Sequence, residues 1–200
     1  MRQPLMWAIG IILMAASAGL GYFLSPSRPG MSPEKVAEHV HAIIQANRTA
    51  YETHVVDRMQ IKGIEAAEHW KQKVALPLPA QFLIETAHLL AEQGSGIKYR
   101  LVSLWPIYVG NAPATDFERK GLQAVIDNPG RPYTGFMTSN KRQYFQAVYA
   151  DLAVAQSCVD CHNFHSNSPR RDFKLNDVMG GIVITIPLED SNEKHEFSRR

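Results

Sequence analysis

The chain has 200 residues, of which 45% are hydrophobic, and a formal net charge of +2 at pH 7. This length allows one domain and an anchor but not two full domains. The near-neutral charge gives no electrostatic case for a nucleic-acid-binding protein, and two cysteines are too few for a disulfide framework.

The N-terminus contains a long segment without charge. Residues 5–24 carry no charged side chain, and as a helix they would span roughly 30 Å, enough to cross a bilayer core. We therefore predict a membrane anchor and linker over residues 1–30, with the remaining chain on the periplasmic or outer side. The alternative is a signal peptide cleaved at Ala16-Ser17-Ala18, but cleavage there would leave Tyr22 and Phe23 exposed near a new terminus.

Helical patterns fill the following part of the chain. Ser32, Pro33 and Glu34 are typical of a helix start, and this helix is predicted to reach about Gln60. Its apolar stripe comprises Val36, Val40, Ile43, Ile44, Asn47, Tyr51 and Val55. A short second helix is predicted over residues 64–73 and a third over Pro79–Glu92. The predicted buried side of the third helix comprises Phe82, Leu83, Thr86, Leu89 and Leu90.

Strand patterns follow, with one helix among them. Residues 97–105 alternate in polarity, and a capping box over residues 115–118 begins a helix that ends near Ile126. Two strands, residues 133–138 and 143–150, flank a hairpin loop at Ser139-Asn140-Lys141. Residues 181–188 are apolar on both faces, which indicates a central strand. The order predicts an α+β fold with a central antiparallel sheet, a domain over residues 31–190 and a charged tail over residues 191–200.

The only two cysteines lie in the stretch Cys158-Val159-Asp160-Cys161-His162, which is the attachment sequence of c-type haem. Each thiol can add to one vinyl group of the haem, and His162 is placed to bind the iron. A zinc site is disfavoured because His162 adjoins Cys161 and His165 is only three residues further on. A redox dithiol would need a βαβ pattern, which the sequence lacks. The motif therefore predicts one covalent haem c, with His162 as the proximal iron ligand.

The second axial ligand of the iron is left open by the sequence. The candidates are His54, His165, Met137 and Met179, alongside a vacant or water-bound position. The remaining histidines are predicted to lie on the surface: His39, His41, His69, His88 and His195. Three arginines are candidate partners for the haem propionates: Arg100, Arg131 and Arg142.

Several stretches resemble a family of PAS-like c-type haem domains, which occur as membrane-anchored proteins and as extracytoplasmic sensor parts of kinases and cyclases. The matching stretches lie within residues 97–188: residues 101–107, Asn111-Ala112-Pro113, the haem motif with Asn163, Asp172-Phe173-Lys174, and Gly180. The resemblance implies a PAS-like fold with the haem held beside the sheet. It also implies thioethers at Cys158 and Cys161 and proximal ligation by His162. Relatives usually have arginine where this chain has Met179.

The functional prediction is a membrane-anchored, extracytoplasmic haem protein that transfers electrons or responds to redox state. The alternative is a haem-based sensor that binds a small gas such as NO, CO or O₂ and acts through a separate signalling protein. The sequence contains no nucleophile elbow and no Gly-rich phosphate loop, which disfavours an enzyme. A haem peroxidase-like enzyme is a third, minor alternative, for which the spacing assigns no distal His/Arg pair. Haem, the membrane and a redox or signalling protein are the expected partners.

Overall fold

The computed structural model describes residues 30–188, and in this range five α-helices surround one four-stranded sheet. The helices are α1 Pro33–Tyr51, α2 Asp57–Ile61, α3 Pro79–Glu92, α4 Asp116–Asp127 and α5 Gln156–Phe164. The strands are β1 Lys98–Val102, β2 Tyr133–Ser139, β3 Arg142–Leu152 and β4 Val178–Pro187. The predicted anchor segment and charged tail lie outside the described residues. Within residues 30–188, no helix is both long and apolar enough to cross a membrane.

The sheet is antiparallel throughout, with strand order β1-β4-β3-β2, and this confirms the predicted α+β class. Strand β4 lies between β1 and β3, in the central position predicted for it. Its side chains alternate between the two faces: Ile182 and Ile184 pack in the cluster formed with α1 and α3, and Val183 packs with α4. Because helices cover both faces, the strand is apolar on both sides.

The hairpin between β2 and β3 has the predicted position. Asn140 and Lys141 form its two-residue turn with φ of 50° and 64°, the left-handed backbone that a type I′ turn requires. Strand β1 is shorter than predicted and ends at Val102. It ends there because the Ser103 amide donates to the carbonyl of Asn111 at 2.8 Å, which turns the chain away from the sheet.

Helix α1 begins as predicted, with the Ser32 hydroxyl accepting a hydrogen bond from the Lys35 amide at 3.3 Å. After Tyr51 the helix widens into a π-helical turn, Glu52–Val56, and continues as α2 to Ile61. The predicted end near Gln60 is therefore confirmed. π-helical turns of this kind are common at functional sites.

The face that α1 buries differs from the predicted apolar stripe. Ile43 is 61% exposed and Asn47 is also exposed, whereas Ala37, Ile44 and Arg48 are buried. The prediction is confirmed for Ile44, which is buried, and for Val36 and Val40, which pack against the core. Tyr51 also stacks on Phe82 of α3. The buried row was missed at Arg48, because hydrophobic periodicity does not detect a buried arginine.

His41 lies in the same buried row of α1, so its prediction as a surface residue is wrong. Its ring stacks on Tyr149 of β3, with ring centroids 4.1 Å apart and planes 7° from parallel. The ion pair between Arg48 and Asp151 lies on the same side of the helix. Polar side chains thus mediate much of the contact between α1 and β3.

We expect the stability of the protein to fall at mildly acidic pH because of His41. Burial lowers the pKa of His41, Asp151 opposes this shift and Arg48 reinforces it. Protonation therefore favours the unfolded chain, and the free energy of unfolding decreases as pH falls through about 6.5 towards the lower folded pKa. We expect His41→Phe, which keeps a ring on Tyr149, to reduce this slope by up to about 1.4 kcal/mol per pH unit.

Urea titrations between about pH 7 and pH 5 measure this slope. The matched control is His39→Phe, since His39 is an exposed histidine on the same helix. A His41→Phe slope equal to the slopes of the control and the wild type would contradict the expectation.

The segment between α2 and α3 is not the predicted second helix. Residues 64–73 contain only a short 3₁₀ turn, Trp70–Gln72. The Ala67 amide donates to the Leu76 carbonyl and the Leu76 amide donates to the Glu65 carbonyl, both at 2.9 Å. These bonds fold the segment back on itself and use backbone groups that a helix would need.

Helix α3 has the predicted bounds, and its buried side is close to the prediction. Leu83 and Ala87 are buried, and Phe82 and Leu90 pack partly against the core. Leu89 is 58% exposed, so its predicted burial is wrong. The Thr86 hydroxyl bonds to the Tyr99 hydroxyl, which joins the helix to β1.

Candidate haem site

The motif lies on a short helix, α5, between β3 and β4. Cys158, Cys161 and His162 are three and four positions apart, so they occupy neighbouring positions on one face of the helix. Val159 lies about 100° around the helix axis from Cys158. It is 6% exposed and packs against Ala153, the residue after β3. Val159 therefore anchors the helix, Cys158 packs partly against the same cluster, and both thiols and the imidazole lie together on one face.

Asn163 fixes the motif helix to the loop that follows it. Its side-chain amide donates to the Phe173 carbonyl at 2.9 Å, and its side-chain oxygen accepts from the Phe173 amide at 3.0 Å. These two hydrogen bonds, which we call the Asn163 clamp, join α5 to the loop in the way that a pair of backbone hydrogen bonds joins two strands. Phe173 is 2% exposed, so the clamp holds a buried ring beside the motif.

The His162 imidazole is partly buried and stands perpendicular to the Phe173 ring, with centroids 5.7 Å apart. Its Nδ1 atom is buried and has no hydrogen-bond partner among residues 30–188. Burial lowers the pKa of His162, Asp151 opposes the shift and His165 reinforces it. The ring is therefore neutral at neutral pH, which is the form that binds a metal.

An arginine and two aromatic rings pack together beside the motif helix. The Arg170 guanidinium lies 4.5 Å from the centroid of Trp105 and 4.4 Å from that of Phe173. The two rings meet edge to face at 5.7 Å, and Nε of Arg170 donates to Asp172 at 2.7 Å. This stack holds the loop against the ring that contacts His162. No functional role was predicted for these residues, although Trp105 and Phe173 lie in the stretches that carry the family resemblance.

Both thiols are reduced, partly exposed and protonated. Burial raises the pKa of Cys158, and a backbone hydrogen bond with Ala155 opposes this shift. Of the nearby charges, Glu52 and Asp151 raise the pKa and Arg48 lowers it. Burial also raises the pKa of Cys161, and Glu68 adds to this effect. Neither cysteine is an activated thiolate, which a nucleophilic or redox-exchange site would require. Within residues 30–188, no group of three or more acidic, histidine or cysteine side chains is arranged to hold a metal ion.

A family model described as Tll0287-like matches residues 25–187. The chain belongs to the Tll0287-like family. This confirms the family resemblance inferred from the sequence. Among solved structures, the chain is similar to the crystal structure of the cyanobacterial haem protein Tll0287, with 20% identity, 80% of this chain and 99% of that chain covered, and a TM-score of 0.45. No curated protein matches the chain.

The four candidate axial ligands occupy different parts of this Tll0287-like protein. His54 is exposed on the π-helical turn, and Met137 lies on β2, partly exposed. His165 ends α5, where its Nε2 lies 3.1 Å from a carboxylate oxygen of Glu68 and its Nδ1 accepts a backbone hydrogen bond. Met179 is 6% exposed and alone of the four packs in the cluster around Val159.

The three candidate propionate arginines are separated in the same way. Arg100 contacts both carboxylate oxygens of Glu118 at 3.3 Å and donates to the carbonyls of Gly110 and Ala112. Glu118 is 4% exposed, so this network ties the loop over residues 103–115 to α4. Arg100 therefore supports the fold through these bonds, and its role as a propionate partner stays a prediction.

The other two arginines are exposed. Arg142 is the first residue of β3, and Leu152 is the last. The two residues are about 33 Å apart along the strand, and the motif helix begins after Leu152. Arg142 thus lies at the opposite end of β3 from the start of the motif helix, and its role as a propionate partner stays a prediction. Arg131 precedes β2, whose first residue pairs with Val148 towards the motif end of β3. Its predicted role therefore stays a prediction.

Proposed function

We propose that this protein binds one haem c through thioethers to Cys158 and Cys161, with His162 as the proximal ligand of the iron. The observation that carries the proposal is the shared face of α5, from which both thiols and the imidazole project. A haem lying on that face is reached by all three side chains. Tll0287, after which the family is named, is described as a haem protein, in keeping with this proposal.

The side chains present fit the group. The cysteines are protonated thiols, the form whose S–H can add across a vinyl double bond. The buried Nδ1 of His162 leaves Nε2 as the nitrogen for iron. The Asn163 clamp and the Phe173 ring fix the position of the imidazole, so the ligand is held in place before the haem arrives.

The proposed role is electron transfer or redox response outside the cytoplasm, with residues 5–24 as a membrane anchor. When bound, the haem supplies one-electron chemistry at its iron. The chain supplies the neutral imidazole of His162 and, beside it, the buried ring of Phe173 with the partly buried ring of Trp105.

Absorption and EPR spectra of both oxidation states, with and without CO, test this role. Electron transfer predicts a low-spin, six-coordinate iron whose ferrous spectrum does not change when CO is added. The four candidate ligands are then distinguished by Met179→Leu, Met137→Leu, His54→Phe and His165→Phe, since loss of the native sixth ligand changes the spectrum. A ferrous spectrum that changes on CO binding would overturn electron transfer in favour of the gas-sensor alternative.

A further inference from the structure

A buried ion pair joins α1 to the end of β3. A guanidinium nitrogen of Arg48 lies 2.5 Å from a carboxylate oxygen of Asp151, and the two side chains are only 10% and 20% exposed. Removing two charges from water costs about as much free energy as their attraction in the interior contributes. Replacing such a pair with apolar side chains of similar volume often gives a more stable fold. Stability alone is therefore a weak reason for this pair, and its position indicates another.

The pair lies at the base of the motif helix. Asp151 pairs across the sheet with Gly180, next to a register irregularity at the end of β3. Two residues later Ala153 is fully buried, and it packs with Val159 of α5 and with Met179. The strand that carries the buried carboxylate thus continues directly into the element that carries the cysteines.

The two charges act on the motif with opposite signs. Burial is the main cause of the raised pKa of Cys158 and of the lowered pKa of His162. Beyond burial, Arg48 lowers and Asp151 raises the pKa of Cys158, and Asp151 raises that of His162. The two charges therefore oppose each other at Cys158, and removing either residue would leave the other charge unpaired next to the motif helix.

We propose that the pairing of Arg48 with Asp151 holds the reduction potential of the haem at its native value, because neither charge next to the motif helix is then left unpaired. This inference rests on the proposed haem function. The ferric site carries one more positive charge than the ferrous site, so an unpaired carboxylate favours the ferric state and an unpaired guanidinium favours the ferrous state. In a medium of low dielectric both effects are much larger than at the surface.

The test is a potentiometric titration of the full haem-loaded chain as wild type, Arg48→Met, Asp151→Asn and the double variant. We expect Arg48→Met to favour the ferric state about tenfold, which lowers the potential by about 59 mV for one electron. We expect Asp151→Asn to shift the potential in the opposite direction by a similar amount. The double variant leaves no unpaired charge, so its potential is expected to return to that of the wild type.

The matched control is Lys35→Met with Glu38→Gln, an exposed ion pair on the same helix whose side chains are 56% and 60% exposed. It lies about 20 Å along the helix from Arg48, and solvent screens it, so we expect no shift. Asp151→Asn keeps an acceptor for Arg48 and is therefore expected to fold. The direction in which its reduction potential shifts tests the proposal even if Arg48→Met does not fold.

A potential unchanged or lowered in Asp151→Asn, with haem loaded normally, would overturn the role of the pair. Shifts of the two single variants in the same direction would also overturn it. Absence of covalent haem in the wild type would overturn the proposed function instead, so the two failures are distinguishable.

Discussion

Replacing both motif cysteines with alanine is expected to abolish covalent haem attachment completely. The chain has only two cysteines, so no other thiol can form a thioether. Each thioether forms when a thiol S–H adds across a vinyl double bond: a C–S bond forms and the hydrogen goes to the neighbouring carbon. Cys158→Ala and Cys161→Ala should each keep one thioether and one intact vinyl group.

Pyridine haemochrome spectra of the denatured variants distinguish these cases. Because a remaining vinyl group stays conjugated with the ring, each single variant is expected to absorb at longer wavelength than the wild type. The matched control is Ser157→Ala, since Ser157 is an exposed neighbour on the same helix, and its spectrum is expected to equal that of the wild type. Haem that stays on the denatured double variant would contradict attachment through these thiols.

Replacing Gly180 with alanine is expected to destabilise the domain by about 3 kcal/mol, at the upper end for an overpacked core position. A Cβ atom at Gly180 would lie 2.4 Å from the backbone carbonyl oxygen of Val102. That atom belongs to β1, and a strand held by its neighbours moves less readily than the end of a side chain. The Ser103 hydroxyl also donates to the Met179 carbonyl at 2.6 Å, so the strands are fixed at this point.

Urea unfolding of Gly180→Ala measures this effect, with Gly130→Ala as the matched control. A Cβ at Gly130 meets nothing nearer than a side-chain oxygen of Asn128 at 3.8 Å, so this variant is expected to be as stable as the wild type. Equal stability of the two variants would show that β1 and β4 do not approach so closely. Because Met179 adjoins Gly180 and packs against Val159, we also expect Gly180→Ala to loosen the motif helix.

The strands were predictable because each element carried its own local signal. Alternating polarity identified β1, an Asn-Lys turn between strand patterns identified the hairpin, and apolar residues on both faces placed β4 at the centre. These signals depend on near neighbours in the chain, which the sequence displays directly. The end of β1 was missed because a loop carbonyl at Asn111, rather than the strand itself, determines it.

The errors in the helical region have a different origin. Residues 64–73 looked helical by composition, but their backbone bonds to the Leu76 region, which a local pattern does not reveal. The burial of Arg48 on α1 was missed because its ion-pair partner, Asp151, is 103 residues away in the sequence. The sequence pattern around Arg48 alone does not show that its charge is paired.

The candidate site was only partly predictable for the same reason. Cys158, Cys161 and His162 form a contiguous motif whose chemistry can be read without a fold. The clamp between Asn163 and Phe173, and the stack on Arg170, depend on a loop that folds back on the motif helix. The family resemblance included Asn163 and Phe173, but only the structure shows what their side chains contact.

The most direct test of the haem assignment is the pyridine haemochrome spectrum of the unaltered full chain, produced in a host that attaches haem c. After denaturation and removal of free haem, we expect the polypeptide to carry one equivalent of haem with the spectrum of two thioether bonds. Polypeptide that carries no haem absorbance, with both thiols of Cys158 and Cys161 still free to react, would contradict the assignment.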